Sequence, residues 1–148
     1  MLKQYDDRIA IFVKGTNVIY EWGCLFLQLI GKAEKRIGKR LKPTDVIKLY
    51  DKAVELNLMK PDCFVRNHWK IMNLTFQYLK SNLRCSYIAK IDLQGDDTWG
   101  DPNGFNEIIK ESLTPNNNSH FYSLDYDSYF DLHFDFPEDL SIRFYKIA

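Results

Sequence analysis

Residues 20–29 read YEWGCLFLQL, and this stretch places Gly23 and Cys24 where a long apolar run begins. Apolar residues then recur at helical spacing, which predicts a helix over residues 24 to about 40. The helix is apolar on nearly all sides at its start, so we expect it to be central and buried. Its first residue is a thiol at a helix N-terminus, where the helix dipole stabilises a thiolate. The stretch therefore raises the question of which residue could act as a base for Cys24.

Further helices are predicted on the same periodicity. The sequence PTD at residues 43–45 marks the start of one helix, with Thr44 as its N-cap. The next helix covers residues 67 to about 80, and a short one covers residues 105–113. Helices therefore fill most of the chain up to residue 80.

Strand signals dominate after residue 80. The apolar segment 9–13 is an early exception, either a strand or a buried lead-in, and turn residues follow it at 14–17. Alternating apolar and polar residues predict later strands, with turn-rich loops between them, over residues 85–93, 120–126, 129–136 and 142–147. Helices first and an antiparallel sheet last make an α+β fold, and no repeat or linker divides residues 1–148, so we expect one domain.

Composition and charge narrow the class of protein. Twenty basic and twenty acidic residues give a net charge of zero, which argues against a dedicated nucleic-acid-binding protein. No apolar stretch approaches the roughly 18–20 residues that span a bilayer, so no membrane partner is expected. The opening MLKQYDDRIA is too acidic and polar for a signal peptide. We expect a cytoplasmic protein, and its oligomeric state stays open.

The cysteines and acidic residues do not form a metal-binding pattern. Cys24, Cys63 and Cys85 are odd in number and widely spaced, unlike a disulfide framework or a zinc site. They are expected to be free thiols in a reducing compartment. The acidic loop at residues 94–104 lacks the D-x-D-x-D-G spacing of a calcium loop. We therefore predict neither a metal nor a cofactor.

A base for Cys24 is predicted near the end of the chain. His120 opens a strand directly after a polar run, where it could face a cleft. Asp135 lies on the partner strand of the predicted hairpin and could hold the imidazole ring, as nucleophilic catalysis by a cysteine requires. The alternatives are structural: an inert buried thiol, a strand-end histidine and a surface or turn carboxylate.

These segments resemble the papain-like cysteine peptidases, specifically the C39-like branch. The similar parts are Gly23-Cys24 at a helix start, SHFYSLDYD at residues 119–127, DFP at 135–137 and the closing strand RFYKI at 143–147. The resemblance implies a papain-like domain in which the Cys-bearing helix packs on a C-terminal antiparallel sheet. It implies Cys24 as nucleophile, His120 as general base and then acid, and Asp135 as the group that orients it. The chain also resembles small proteins carried by bacterial phages and plasmids.

The resemblance implies a peptidase or amidase acting on a peptide or peptidoglycan-like substrate. The chain departs from the family where a Gln usually donates to the oxyanion several residues before the cysteine. Val18 stands there, and Asn17 beside it is the candidate donor. The Gly that usually precedes the histidine is Ser119. An inactive papain-like fold that serves as a protein-binding module is the alternative function. The candidate cleft-lining residues are Glu21, Trp22, Gly23 and Ser119.

Overall fold

Helices precede an antiparallel sheet along this chain, which is the predicted α+β order. The computed structural model describes residues 2–114, 118–123 and 138–148. After a short 3-10 turn at Asp7–Ile9, strands β1 (Phe12–Val13) and β2 (Thr16–Asn17) form a small hairpin. Its turn places Lys14 and Gly15 at φ +51° and +82°, so the predicted turn is confirmed at residues 14–15, and residues 16–17 are strand β2 instead. Of the apolar segment 9–13, only the last two residues are strand.

Within residues 18–114, 118–123 and 138–148, four helices follow the hairpin, and the second is the predicted central helix. They are α1 (Val18–Trp22), α2 (Cys24–Ile37), α3 (Pro43–Glu55) and α4 (His68–Tyr78). Helix α2 is buried over most of its length, as expected from its apolar start. It ends before residue 40 because Gly38 adopts φ +76° and donates its backbone N–H to the carbonyls of Glu34 and Lys35. A glycine in this conformation is a common helix stop.

The predicted cap of helix α3 is wrong by two residues. Lys42, not Thr44, precedes the helix, and its backbone N–H donates to the Asp45 carboxylate at 2.7 Å. Pro43 takes the first helical position, where the missing N–H costs nothing and φ is already suitable. Thr44 therefore lies inside the helix.

After residue 84, the described residues form a five-stranded antiparallel sheet. Its strands are β3 (Cys85–Asp92), β4 (Trp99–Gly100), β5 (Glu107–Leu113), β6 (Ser119–Tyr122) and β7 (Glu138–Ile147). They lie in the order β4-β3-β7-β5-β6, so the late strand β7 is central. The predictions of strands at 85–93 and 142–147 are confirmed, and β7 begins four residues earlier than expected. The predicted turn and second strand at 125–136 lie outside the described residues.

The predicted helix at residues 105–113 is wrong, because this segment contains strand β5. Strand β5 pairs with β7 on one side and with β6 on the other. Ile108 and Ile109 are β-branched and favour a strand, and hydrogen bonds from two neighbours outweigh a weak helical preference. The Thr114 backbone N–H donates to the Asn118 carbonyl at 2.7 Å, directly before β6 begins.

The core lies between the helices and one face of the sheet. Helix α2 is central to it, with α4 and strand β6 among its neighbours. The Lys32 side chain is completely buried and its Nζ lies 2.8 Å from Oε1 of Glu107 on β5. This ion pair fixes α2 against the sheet. No helix in residues 2–114, 118–123 and 138–148 has the length and apolar character needed to cross a membrane.

Candidate functional site

A groove of about 830 Å³ opens at the start of helix α2. Its first wall consists of the end of α1 and the first turn of α2, where Cys24 is partly exposed. Its second wall is the loop between α3 and α4, and its floor is formed by β5, β6 and β7. The predicted cleft-lining residues Glu21, Trp22 and Ser119 all line it.

Gly23 explains why Cys24 is the first residue of a helix. The backbone N–H of Gly23 donates to the Ile19 carbonyl at 2.9 Å and ends α1. A Cβ at this position would lie 2.5 Å from that oxygen and 2.9 Å from the Ile19 Cα. Only glycine therefore lets the chain leave α1 and enter α2 without a backbone shift. The predicted position of Cys24 at the N-terminus of the central helix is confirmed.

The second wall is a tight loop that holds an aromatic ring at the groove. Met59 and Val65 form an isolated β-bridge, and the Lys60 N–H donates to the Phe64 carbonyl at 2.9 Å. Asp62 accepts the Phe64 N–H at 3.0 Å. The loop leaves Phe64 62% exposed. Trp22, on the other wall of the groove, is 58% exposed.

Cys63 lies in the same loop and also lines the groove. It is buried and has φ +69°, an unusual backbone conformation for a residue with a side chain. Burial, followed by the nearby Asp62 and Cys24, raises the pKa of Cys63 to about 12. Cys85 is buried in strand β3, and burial raises its pKa to about 12 as well. Both are therefore neutral thiols at pH 7.

The floor of the groove carries one charged network. Arg143 Nη1 lies 3.7 Å from Oε1 of Glu111, and it donates to the Ser141 hydroxyl at 3.0 Å. The Ser141 hydroxyl in turn donates to Glu111 at 3.1 Å. The Arg143 guanidinium carbon lies 4.9 Å from the centre of the Phe121 ring. These contacts place Arg143, Glu111 and Phe121 on the helix-facing side of the sheet.

His120 lies on the opposite face of the sheet. Ser119 and Phe121 line the groove, and side chains alternate between faces along a strand, so His120 between them points away. His120 pairs in register with Ser112, which donates to the Asp139 carboxylate on that far face. Its side chain is buried, with 2% of the residue exposed.

Cys24, Ser119 and Phe121 line the same groove, and alternation along β6 places the His120 side chain on the other face from Ser119 and Phe121. The predicted contact between Cys24 and His120 is not supported by the register of β6, because one residue of offset along a strand reverses the face. Asp135 lies outside the described residues, so its position relative to His120 stays a prediction.

Asn17 serves a structural purpose at the start of α1. Its side-chain oxygen accepts the backbone N–H groups of Tyr20 and Ile11, each at 3.4 Å. It is not among the described residues that line the groove. A role as oxyanion donor to Cys24 is therefore not supported by this position.

Several residues that line the groove were not predicted from the sequence. Asp62 and Phe64 follow α3 in a segment with no strong periodicity, and only the exposed aromatic residue could have attracted attention. Glu111 was not predicted because residues 105–113 were predicted to form a helix and not a strand of the groove floor. Arg143 belongs to the closing strand of the resemblance, but the sequence does not indicate which face it takes.

Neither a metal site nor a known relative indicates what the groove binds. No group of three or more His, Cys, Asp or Glu side chains suited to a metal occurs within residues 2–114, 118–123 and 138–148. No protein-family model, curated protein or solved structure matches the chain. The groove must therefore be interpreted from its own residues.

Proposed function

We propose that this chain is a protein-binding module of papain-like architecture that holds a peptide segment in the groove beside Cys24. The papain-like arrangement is supported by a helix that begins at a cysteine, packs against the strand Ser119–Tyr122 and precedes the sheet along the chain. A binding role without the predicted triad is supported by the register that turns His120 to the other face.

The single observation that carries this proposal is the pair of exposed aromatic rings at the groove. Trp22 is 58% exposed and Phe64 is 62% exposed, and both line the same cavity. Large aromatic side chains of this kind are enriched in protein interfaces and often contribute most of the binding energy. Grooves between rigid elements are also the usual place for a peptide to bind.

A cysteine peptidase or amidase is the second candidate function. It is favoured by Cys24, which is partly exposed to the groove at the first residue of a 14-residue helix. In this alternative, the Cys24 thiolate attacks the carbonyl carbon of an amide, the amine leaves with a proton from His120, and water hydrolyses the thioester. The alternative requires that His120 reach the groove, which the register of β6 does not favour.

The rate of Cys24 alkylation as a function of pH separates the two functions. Iodoacetamide labelling would be followed by mass spectrometry of the peptides, in the wild type and in His120→Ala. For a binding module we expect the same pH profile at Cys24 in both proteins. Because His120 is buried, His120→Asn provides a second variant, and circular dichroism checks that each variant is folded.

Cys63 and Cys85 are internal controls in the same samples. Their buried neutral thiols should react much more slowly than Cys24 at neutral pH. If both folded His120 variants shift the Cys24 profile to higher pH, a thiolate–imidazolium pair exists and the peptidase is the better proposal.

A further inference from the structure

We propose that the partner segment inserts a basic side chain, lysine or arginine, into the Cys24 groove. This inference rests on the proposed binding function and adds the chemical class of the partner. It is argued from the charges that line the groove and from the aromatic rings beside them.

Acidic side chains outnumber basic ones around the groove. Glu21, Asp62 and Glu111 line it together with Arg143. Arg143 lies 3.7 Å from Glu111, so the charges of these two residues compensate each other. Within the part of the chain that the structure describes, neither Glu21 nor Asp62 makes an ion pair. Among the described residues, the groove therefore presents two carboxylates without an ion pair to a ligand, and these attract a cation.

The aromatic rings suit the rest of a basic side chain. Lysine and arginine bury an apolar stem and keep a charged head near polar groups. Trp22 and Phe64 provide exposed apolar surface for such a stem, and an aromatic face attracts an ammonium or guanidinium group. The Phe64 ring already has the Lys60 Nζ 5.4 Å from its centre, so Phe64 offers apolar surface to the stem and Trp22 is the ring that a partner cation would face. A basic side chain from a partner is therefore matched by the groove's charge and by the exposed Trp22 ring.

The inference is tested with fluorescent peptide pools. Three pools of equal length carry Lys, Gln or Asp at the central position and random uncharged residues elsewhere. Fluorescence anisotropy with the full chain measures the binding of each pool. We expect the Lys pool to bind about five-fold more tightly than the Gln pool, and the Asp pool to bind most weakly. Added salt should reduce the difference because it screens the charges.

Two charge-removing variants locate the effect. Glu21→Gln should reduce the ratio of Lys-pool to Gln-pool affinity roughly two- to three-fold. Glu55→Gln is the matched control, since Glu55 is an exposed glutamate on α3 away from the groove. It should leave all three pools unchanged.

The outcomes separate this inference from the proposed function. Equal binding of the three pools that is lost in Trp22→Ala overturns the basic partner and leaves the binding module. Tightest binding of the Asp pool, or a preference that Glu21→Gln does not change, also overturns the basic partner. If no pool binds to the folded chain, both proposals fail.

Discussion

At the scale of single residues, Gly23 is the position where one methyl group should matter most. We expect Gly23→Ala to lower the free energy of unfolding by about 1–3 kcal/mol, because its Cβ would meet backbone atoms that cannot move aside cheaply. Urea denaturation measures the change. Gly95→Ala is the matched control: the three atoms nearest its Cβ all belong to the Asp92 side chain, the closest at 3.1 Å, so we expect a change below about 1 kcal/mol. Equal losses in the two variants would contradict the assignment.

Single residues also mark the limit of what the sequence could predict about the site. The position of Cys24 followed from local information, namely a glycine and the start of an apolar run. The orientation of His120 did not, because it depends on which face of β6 packs against α2. Both faces of that strand offer polar and aromatic residues, so alternation alone cannot choose between them.

At the scale of elements, the ion pair between Lys32 and Glu107 holds helix α2 on strand β5. We expect Lys32→Met to cost about 3 kcal/mol, because it leaves the Glu107 carboxylate with the longer contacts to Arg36 Nη2 at 3.4 Å and to the Ile108 N–H at 3.3 Å. Chemical denaturation measures this loss. Lys70→Met is the matched control at an exposed position of helix α4, with an expected change within about 0.5 kcal/mol.

A double variant tests whether the two charges act together. Lys32→Met combined with Glu107→Gln should lose less stability than the sum of the two single variants, since the second change removes the isolated carboxylate. Strict additivity would show that the 2.8 Å contact contributes no coupling.

Elements were predicted well where one periodicity dominated. Helices α2, α3 and α4 have a clear apolar face, and their order along the chain was correct. Strand β5 was mistaken for a helix because its seven residues are too few to show a period. The segment forms a strand because it pairs with β6 and β7 on either side. A local sequence pattern does not contain these contacts between distant residues.

At the scale of the whole molecule, His68 links helix α4 to the sheet. Its Nδ1 lies 3.0 Å from the Tyr145 hydroxyl, and its ring packs against Tyr87 with centres 4.3 Å apart. Burial, followed by the positive charges of Arg143 and Lys90, lowers the pKa of His68 to about 3. The folded protein therefore keeps this histidine neutral well below the pH at which it would normally gain a proton.

This neutral histidine should make the stability of the whole fold depend on pH. Between an unfolded pKa of about 6.5 and the folded value, only the unfolded chain binds the proton. The free energy of unfolding should therefore fall as the pH is lowered, by up to about 1.4 kcal/mol per pH unit from this group. Urea denaturation at several pH values measures the slope. His68→Asn should be less steep than the wild type, and parallel curves would contradict the assignment.

The central position of strand β7 has a consequence for the time course of folding. Cys85 pairs with Ile147, so the two strands meet only after a long stretch of chain has been brought together. Until β7 arrives, β3 and β5 each expose an edge with unsatisfied backbone groups. Contacts between distant parts of a chain slow folding, and open edges can pair with other molecules meanwhile. During folding, the pairing of β7 with β3 and β5 therefore competes with the pairing of those edges with another molecule. Only the second process depends on protein concentration, so a low concentration favours the correct pairing.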